Sequence, residues 1–190
     1  IKTNYMREGM GFLFYQEYMN DPVSDEFRKF KFEKLQFYDP KDIQGAQMNV
    51  YMAIDRAYSM EKTADFTGIV VVGVDNSNRW YILHAERFKG MEKELIEKIF
   101  DLKKFYSPLK VGVEQRAYIY TLKPTMDEEM RRRNNFFKIE ELKDLGKSKA
   151  LRIEAILPRY ESGSIFFKKG QDDLIDELTT FPRGTYDDLA

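Results

Sequence analysis

Apolar residues repeat along this chain with two periods. Between residues 49 and 55, Val50, Met52 and Ile54 fall on one face of an extended segment and Tyr51, Ala53 and Asp55 on the other, which predicts a strand. A second strand is expected over 66–74, where the run from Ile69 to Val72 is wholly β-branched. Asp75, Asn76, Ser77 and Asn78 form a turn cluster, so a third strand over 79–87 should fold back on the second as a hairpin. Over 91–106 the period changes: Leu95, Ile99 and Leu102 recur at helical spacing, with Ile96 and Phe100 beside them. A strand follows at 110–114, and the order strand, helix, strand suggests a parallel crossover.

Beyond it the pattern predicts a polar helix to about 133 and a short strand within 136–142. A helix over 149–157 should be ended by Pro158. A strand or hairpin arm is expected at 163–168, after the turn signal Glu161, Ser162, Gly163, and then a helix over 171–181 bounded by Pro182. The whole predicts an α/β domain with a mixed central sheet flanked by helices.

Residues 1–45 stand apart. They are aromatic-rich over 11–18, turn at Asn20, Asp21 and Pro22, and can form a strand within 30–37 before a boundary at Tyr38, Asp39 and Pro40. They read as a linker or the tail of a preceding domain, with the α/β domain over 46–190. The first residue is Ile1 and the last helix would begin only at Asp187, so the chain is expected to be a piece of a longer protein.

Composition narrows the chemistry. The chain has 190 residues, 43% hydrophobic, 33% charged and 15% aromatic, a globular profile. No Cys occurs, which excludes disulfides, thiol nucleophiles and Cys-based zinc sites. His84 is the only histidine, so multi-His metal sites are excluded too, and a packed strand residue is the plainer reading of it. No apolar run approaches the ~20 residues of a membrane-spanning helix. A net charge of −1 gives no global attraction to nucleic acid, so local patches must carry any such contact.

Acidic residues supply the strongest chemical signal. Asp55 ends the first strand, Glu114 ends the strand 59 residues on, and Asp187 and Asp188 open a final helical pattern 73 residues beyond that. Acids at element ends are common as exposed or capping residues. Several converging on one point bind hard divalent cations, which take oxygen ligands and clamp the attacking and leaving oxygens of a phosphodiester. Ala53 and Gly112, each two residues before an acid, leave room for other elements to approach. Gly184 and Thr185 can cap a helix whose N-terminus favours ionised Asp187 and Asp188. Asp65 reads either as support behind Asp55 or as an exposed turn acid. Arg131, Arg132 and Arg133, followed by Asn134 and Asn135, can track a phosphate backbone, or simply end a helix in solvent.

Five segments together resemble one family. Gln16 to Pro22 resembles the end of an ATPase domain. Ala53, Ile54 and Asp55, with Thr63 to Thr67, resemble a first catalytic strand and its return. Gly112, Val113 and Glu114 resemble a second acidic motif, and Lys149 to Ile153 a basic helix motif. Phe181 to Ala190 resembles a third acidic motif and is the most specific of the five. The chain is thus similar to the C-terminal nuclease domain of the tailed-bacteriophage terminase large subunit, a member of the RNase H-like (RuvC-like) superfamily. Many relatives carry His where Tyr186 stands here.

The resemblance implies an endonuclease that cuts concatemeric double-stranded viral DNA during packaging, in the host cytoplasm during virus assembly. It implies two divalent cations, Mg²⁺ or Mn²⁺, with Asp55 bridging both, Glu114 and Asp188 holding one each, and Asp187 auxiliary to or interchangeable with Asp188. It implies DNA contact by Lys147, Lys149 and Arg152, to which Lys168 and Lys169 can add. Expected partners are the viral DNA, an N-terminal ATPase domain of the same polypeptide, a portal protein and a small terminase subunit. No G-x-x-x-x-G-K-[ST] motif occurs, so no ATPase site is expected here. Two alternatives stay open: another RNase H-like nuclease of resolvase or transposase type, and a non-catalytic module that docks on DNA or the portal.

Overall fold

A computed structural model of the chain describes residues 28–55, 66–114, 122–142, 148–182 and 189. Seven strands form one sheet: β1 (Gln36–Tyr38), β2 (Met48–Asp55), β3 (Thr67–Asp75), β4 (Trp80–Phe88), β5 (Lys110–Glu114), β6 (Ile139–Leu142) and β7 (Ile165–Lys168). Among the described residues five α-helices accompany them: α1 (Glu92–Tyr106), α2 (Lys123–Arg133), α3 (Lys149–Glu154), α4 (Leu157–Glu161) and α5 (Asp172–Thr180). The strand order is β1-β7-β4-β3-β2-β5-β6. β2, β3 and β4 pair antiparallel, while β5 joins β2, β6 joins β5, and β7 joins both β4 and β1 in parallel. The expected mixed α/β sheet is therefore present.

Local chemistry explains the junctions. The β3–β4 turn is closed by Asp75, whose Oδ1 accepts from the amides of Ser77 and Arg79 at 2.9 Å each. Asn78 takes the left-handed conformation there (φ 59°), one of the few residue types that does so at low cost. Helix α1 buries Leu95, Ile96, Ile99 and Phe100 along one stripe and stops at Ser107, also left-handed (φ 47°).

The sheet has two differently covered faces. On one, Met52, Ile54, Ile69, Val71, Val111 and Val113 pack beneath α1 and α2. On the other, Ile82, Ile165 and Phe167 meet Ile153 of α3, Tyr160 of α4, and Leu174 and Leu178 of α5.

Three expectations change. Residues 28–45, read as linker, belong to the sheet: β1 forms its edge, Phe30 is fully buried, and the Tyr38 hydroxyl donates to the Ile82 carbonyl at 3.0 Å. Pro158 does not end a helix. It sits in the first turn of α4, where its missing N–H would have had no intrahelical partner. The segment at 163–168 is no hairpin arm, since β7 runs parallel to both neighbours.

Candidate active site

Two of the sequence-picked acids come together through strand register. β5 lies parallel to β2 with Ile54 opposite Val113, so the next residue on each strand, Asp55 and Glu114, ends its strand beside the other. Adjacent strands lie about 4.8 Å apart, and both side chains leave the sheet on the α3 face. Ala53 and Gly112 precede them in the same row. A Cβ at Gly112 would come 2.9 Å from the methyl carbons of Leu142 of β6, so that side chain would have to swing aside to admit one. Asp55 is 44% exposed in its side chain, so the carboxylate faces the mouth of the site.

Lys149 opens α3 and reaches across to this pair. Its Nζ lies 3.3 Å from Asp55 Oδ2. Arg152 stands three residues on along α3, the spacing that puts two side chains on one helical face. Asp55, Glu114, Lys149 and Arg152 edge a cavity of about 350 Å³ whose deeper wall is apolar, with Val70, Val72, Ile153 and Phe167 among its lining. Leu189 lines it too and is buried (6% exposed). Asp65, Lys147, Asp187 and Asp188 lie outside the described residues.

Chemically, Asp55 and Glu114 offer adjacent hard oxygen donors beside an ammonium that already answers their charge. That donor set suits Mg²⁺ or Mn²⁺. Among the described residues no group of three or more acids or histidines forms a metal cluster, so these two carboxylates are the described part of any such set.

The other basic candidates lie elsewhere. Arg131 and Arg132 end α2, which packs Met126 and Met130 under the opposite face of the sheet. Arg132 is engaged by Glu129 at 2.7 Å, and Arg133 pairs with Glu129 and Glu97. The N-termini of α1 and α2 meet through Thr125 and Glu92, which sets the arginines toward the end of the sheet away from Asp55. Lys168 ends β7 and Lys169 follows it, three strands from β2, which is roughly 14 Å across the sheet at ~4.8 Å per strand. His84 is a packing residue: it pairs with Val71, tilts against the Tyr106 ring, and holds Nε2 3.6 Å from Glu86 Oε1.

Sequence reasoning passed over Arg87 and Glu177. Glu177 of α5 is 4% exposed, and Arg87 Nη1 donates to its Oε1 at 3.2 Å. One signal was available. Glu177 lies within the stripe of Leu174, Leu178 and Phe181, and an acid there requires a partner.

No family model matches this sequence, and no curated protein does. Solved structures match. The human cytomegalovirus terminase nuclease domain aligns with a TM-score of 0.53 at 17% identity, over 73% of this chain and 77% of that one. Its Mn-soaked, inhibitor-bound form gives 0.54 at 14% identity, over 87% and 86%. The chain has the RNase H-like fold of a terminase nuclease domain. The HK97 bacteriophage large terminase gives 0.52 at 8% identity, over 71% of this chain and 33% of that one. The RNase H-like sheet and its flanking helices are thus as the sequence motifs led us to expect.

Proposed function

We propose that this chain is the nuclease domain of a viral DNA-packaging motor, a metal-dependent endodeoxyribonuclease that cuts concatemeric double-stranded DNA. The observation that carries the reading is the side-by-side placement of Asp55 and Glu114 at the ends of adjacent parallel strands, with Lys149 Nζ at 3.3 Å from Asp55. The shared fold supports it, and a neighbour of that fold was solved after soaking with manganese.

In this reading Asp55 would help to hold both divalent ions, Glu114 and Asp188 would each contribute to holding one, and Asp187 would assist or alternate with Asp188. Bound divalent ions supply an acidified water and neutralise charge on the phosphoryl oxygens. The protein supplies the rest. Lys149 presents Nζ at the mouth, where a phosphodiester oxygen would meet it. Arg152 faces the next phosphate along, in the role phosphate contacts usually play, which is to fix register. An apolar wall lines the cavity below the carboxylates, while Asp55 itself faces solvent at the mouth. Lys147 is assigned to the same DNA track, Asp65 to support behind Asp55, and the viral ATPase domain, portal and small terminase subunit to the partners, in the host cytoplasm.

The test is cleavage of supercoiled plasmid with EDTA, Mg²⁺ or Mn²⁺, beside an Asp55→Asn variant. We expect nicking and linearisation that need the metal and fall at least about 100-fold in the variant. Undiminished cleavage by a folded Asp55→Asn protein would sink the assignment.

A further inference from the structure

We propose that Glu177 and Arg87 form a buried tether that fixes the Leu189 backbone beside the candidate site. The inference rests on the nuclease reading above. The two oxygens of Glu177 hold separate partners: Oε1 accepts from Arg87 Nη1 at 3.2 Å, and Oε2 accepts from the backbone N–H of Leu189 at 2.7 Å. The Glu177 side chain is 2% exposed and that of Arg87 17%. A carboxylate this deep must be paired, and an ionised acceptor makes a short, strong bond to an amide. Arg87 is itself braced by Asp173 Oδ1 at 2.9 Å.

The tether is tied to the candidate site at both ends. Gly68 of β3 pairs with Asp55 on one side and with Arg87 on the other. Arg87 therefore lies in the same cross-sheet row and on the same face as Asp55, two strands away. Its guanidinium also covers the ring of Phe66 at 5.1 Å, immediately after Asp65. At the far end Leu189 is buried against α5 and follows Asp188 directly. One ion pair thus links the row of Asp55 to the residue next to the third acidic motif. Groups of this kind hold metal-binding side chains in place, and their loss costs about 10–100-fold in metal affinity or activity.

The experiment uses the 190-residue chain with Glu177→Ala, Glu177→Gln and Leu189→Pro. Mn²⁺ affinity by calorimetry and plasmid nicking are measured on each, and amide hydrogen exchange at Leu189 on wild type and the two Glu177 variants. Gln retains an acceptor oxygen for the Leu189 amide, whereas Pro at 189 removes the donor and leaves Glu177 with Arg87. We expect Glu177→Ala to speed exchange at Leu189 at least about 10-fold and to weaken Mn²⁺ binding by about 10–100-fold, with Leu189→Pro weakening Mn²⁺ binding likewise. Glu177→Gln keeps an acceptor oxygen for Leu189 but turns its amide nitrogen toward the Arg87 guanidinium, so it should fall between wild type and Glu177→Ala in both readouts, a partial rescue that mere loss of packing would not produce. Unchanged exchange in folded Glu177→Ala, or unchanged Mn²⁺ affinity in both Glu177→Ala and Leu189→Pro, overturns the proposal. If Glu177→Ala does not fold, Leu189→Pro and Glu177→Gln decide it. Wild-type chain that neither binds Mn²⁺ nor cuts, while Glu177→Ala still releases Leu189, overturns the nuclease reading and leaves the tether standing.

Discussion

The face of the sheet under α1 and α2 is closed, while the face under α3, α4 and α5 opens at one end onto carboxylates. On the closed side Ile54, Ile69, Val71, Ile99 and Val113 are all 2% exposed or less. On the open side the same strands carry Ala53, Asp55, Gly112 and Glu114 at alternate positions. Strand period 2 lets one backbone serve both purposes, with stability assigned to one face and chemistry to the other. Adjacent residues in the chain can then have opposite duties. Ile54 and Asp55 are the sharpest case.

That contrast sets the largest expected effect. Ile54→Ala should destabilise by about 2–5 kcal/mol, as truncation of a buried aliphatic does, and leave Mn²⁺ affinity of the folded protein unchanged. Asp55→Asn should do the reverse. Its ion pair with Lys149 is partly solvated and contributes under about 1 kcal/mol. Urea denaturation beside Mn²⁺ titration of the two variants separates the faces, and a large stability loss in Asp55→Asn would merge them.

A second effect should follow the same division. Charge reversal of Lys149 and Arg152 should weaken duplex DNA binding and reduce the slope of log affinity against log salt by about 2, near 0.9 per phosphate contact. Reversal of Arg131 and Arg132 should change that slope by less than about 0.5, because those residues lie under the closed face. Equal slopes in the two variants would place DNA on both faces.

The smallest effect concerns acid stability of α2. Side-chain hydrogen bonds from Arg132 and Arg133 hold the Glu129 carboxyl down at about 2, against an ordinary 4.5. A folded-state value below the unfolded one stabilises above the unfolded value, and that contribution is lost as pH falls from 4.5 toward 2. Glu129→Gln should flatten helix loss in that window, followed by circular dichroism, and leave DNA binding and Mn²⁺ binding alone. Glu129 is exposed enough that solvent screens much of this.

Much of the fold was legible where the signal is local. β5 begins and ends where alternation predicted, and α1 follows its helical stripe to within a residue. The strand-helix-strand order announced a parallel crossover but not that β5 would land beside β2, which is what makes Asp55 and Glu114 neighbours. What escaped was non-local. β1 pairs with β7 across about 130 residues of chain, and three residues carry no pattern that could announce it. The parallel pairing of β7 looked like a hairpin because its turn signal is real but belongs to the end of α4. Arg87 and Glu177 are 90 residues apart in sequence, and neither is unusual until the other is beside it. Arg131 and Arg132 misled by composition, since a run of cations carries no information about which face of the sheet it will occupy.

The edge position of β1 has a mechanical consequence. A pull applied at residue 28 enters the sheet through three residues, backed by the Phe30 ring and by the hydroxyls of Tyr38 and Tyr160. β7, β4 and β3 stand between that strand and β2. Loss of the three-residue β1–β7 pairing would therefore leave in place the β2–β5 ladder that sets Asp55 beside Glu114.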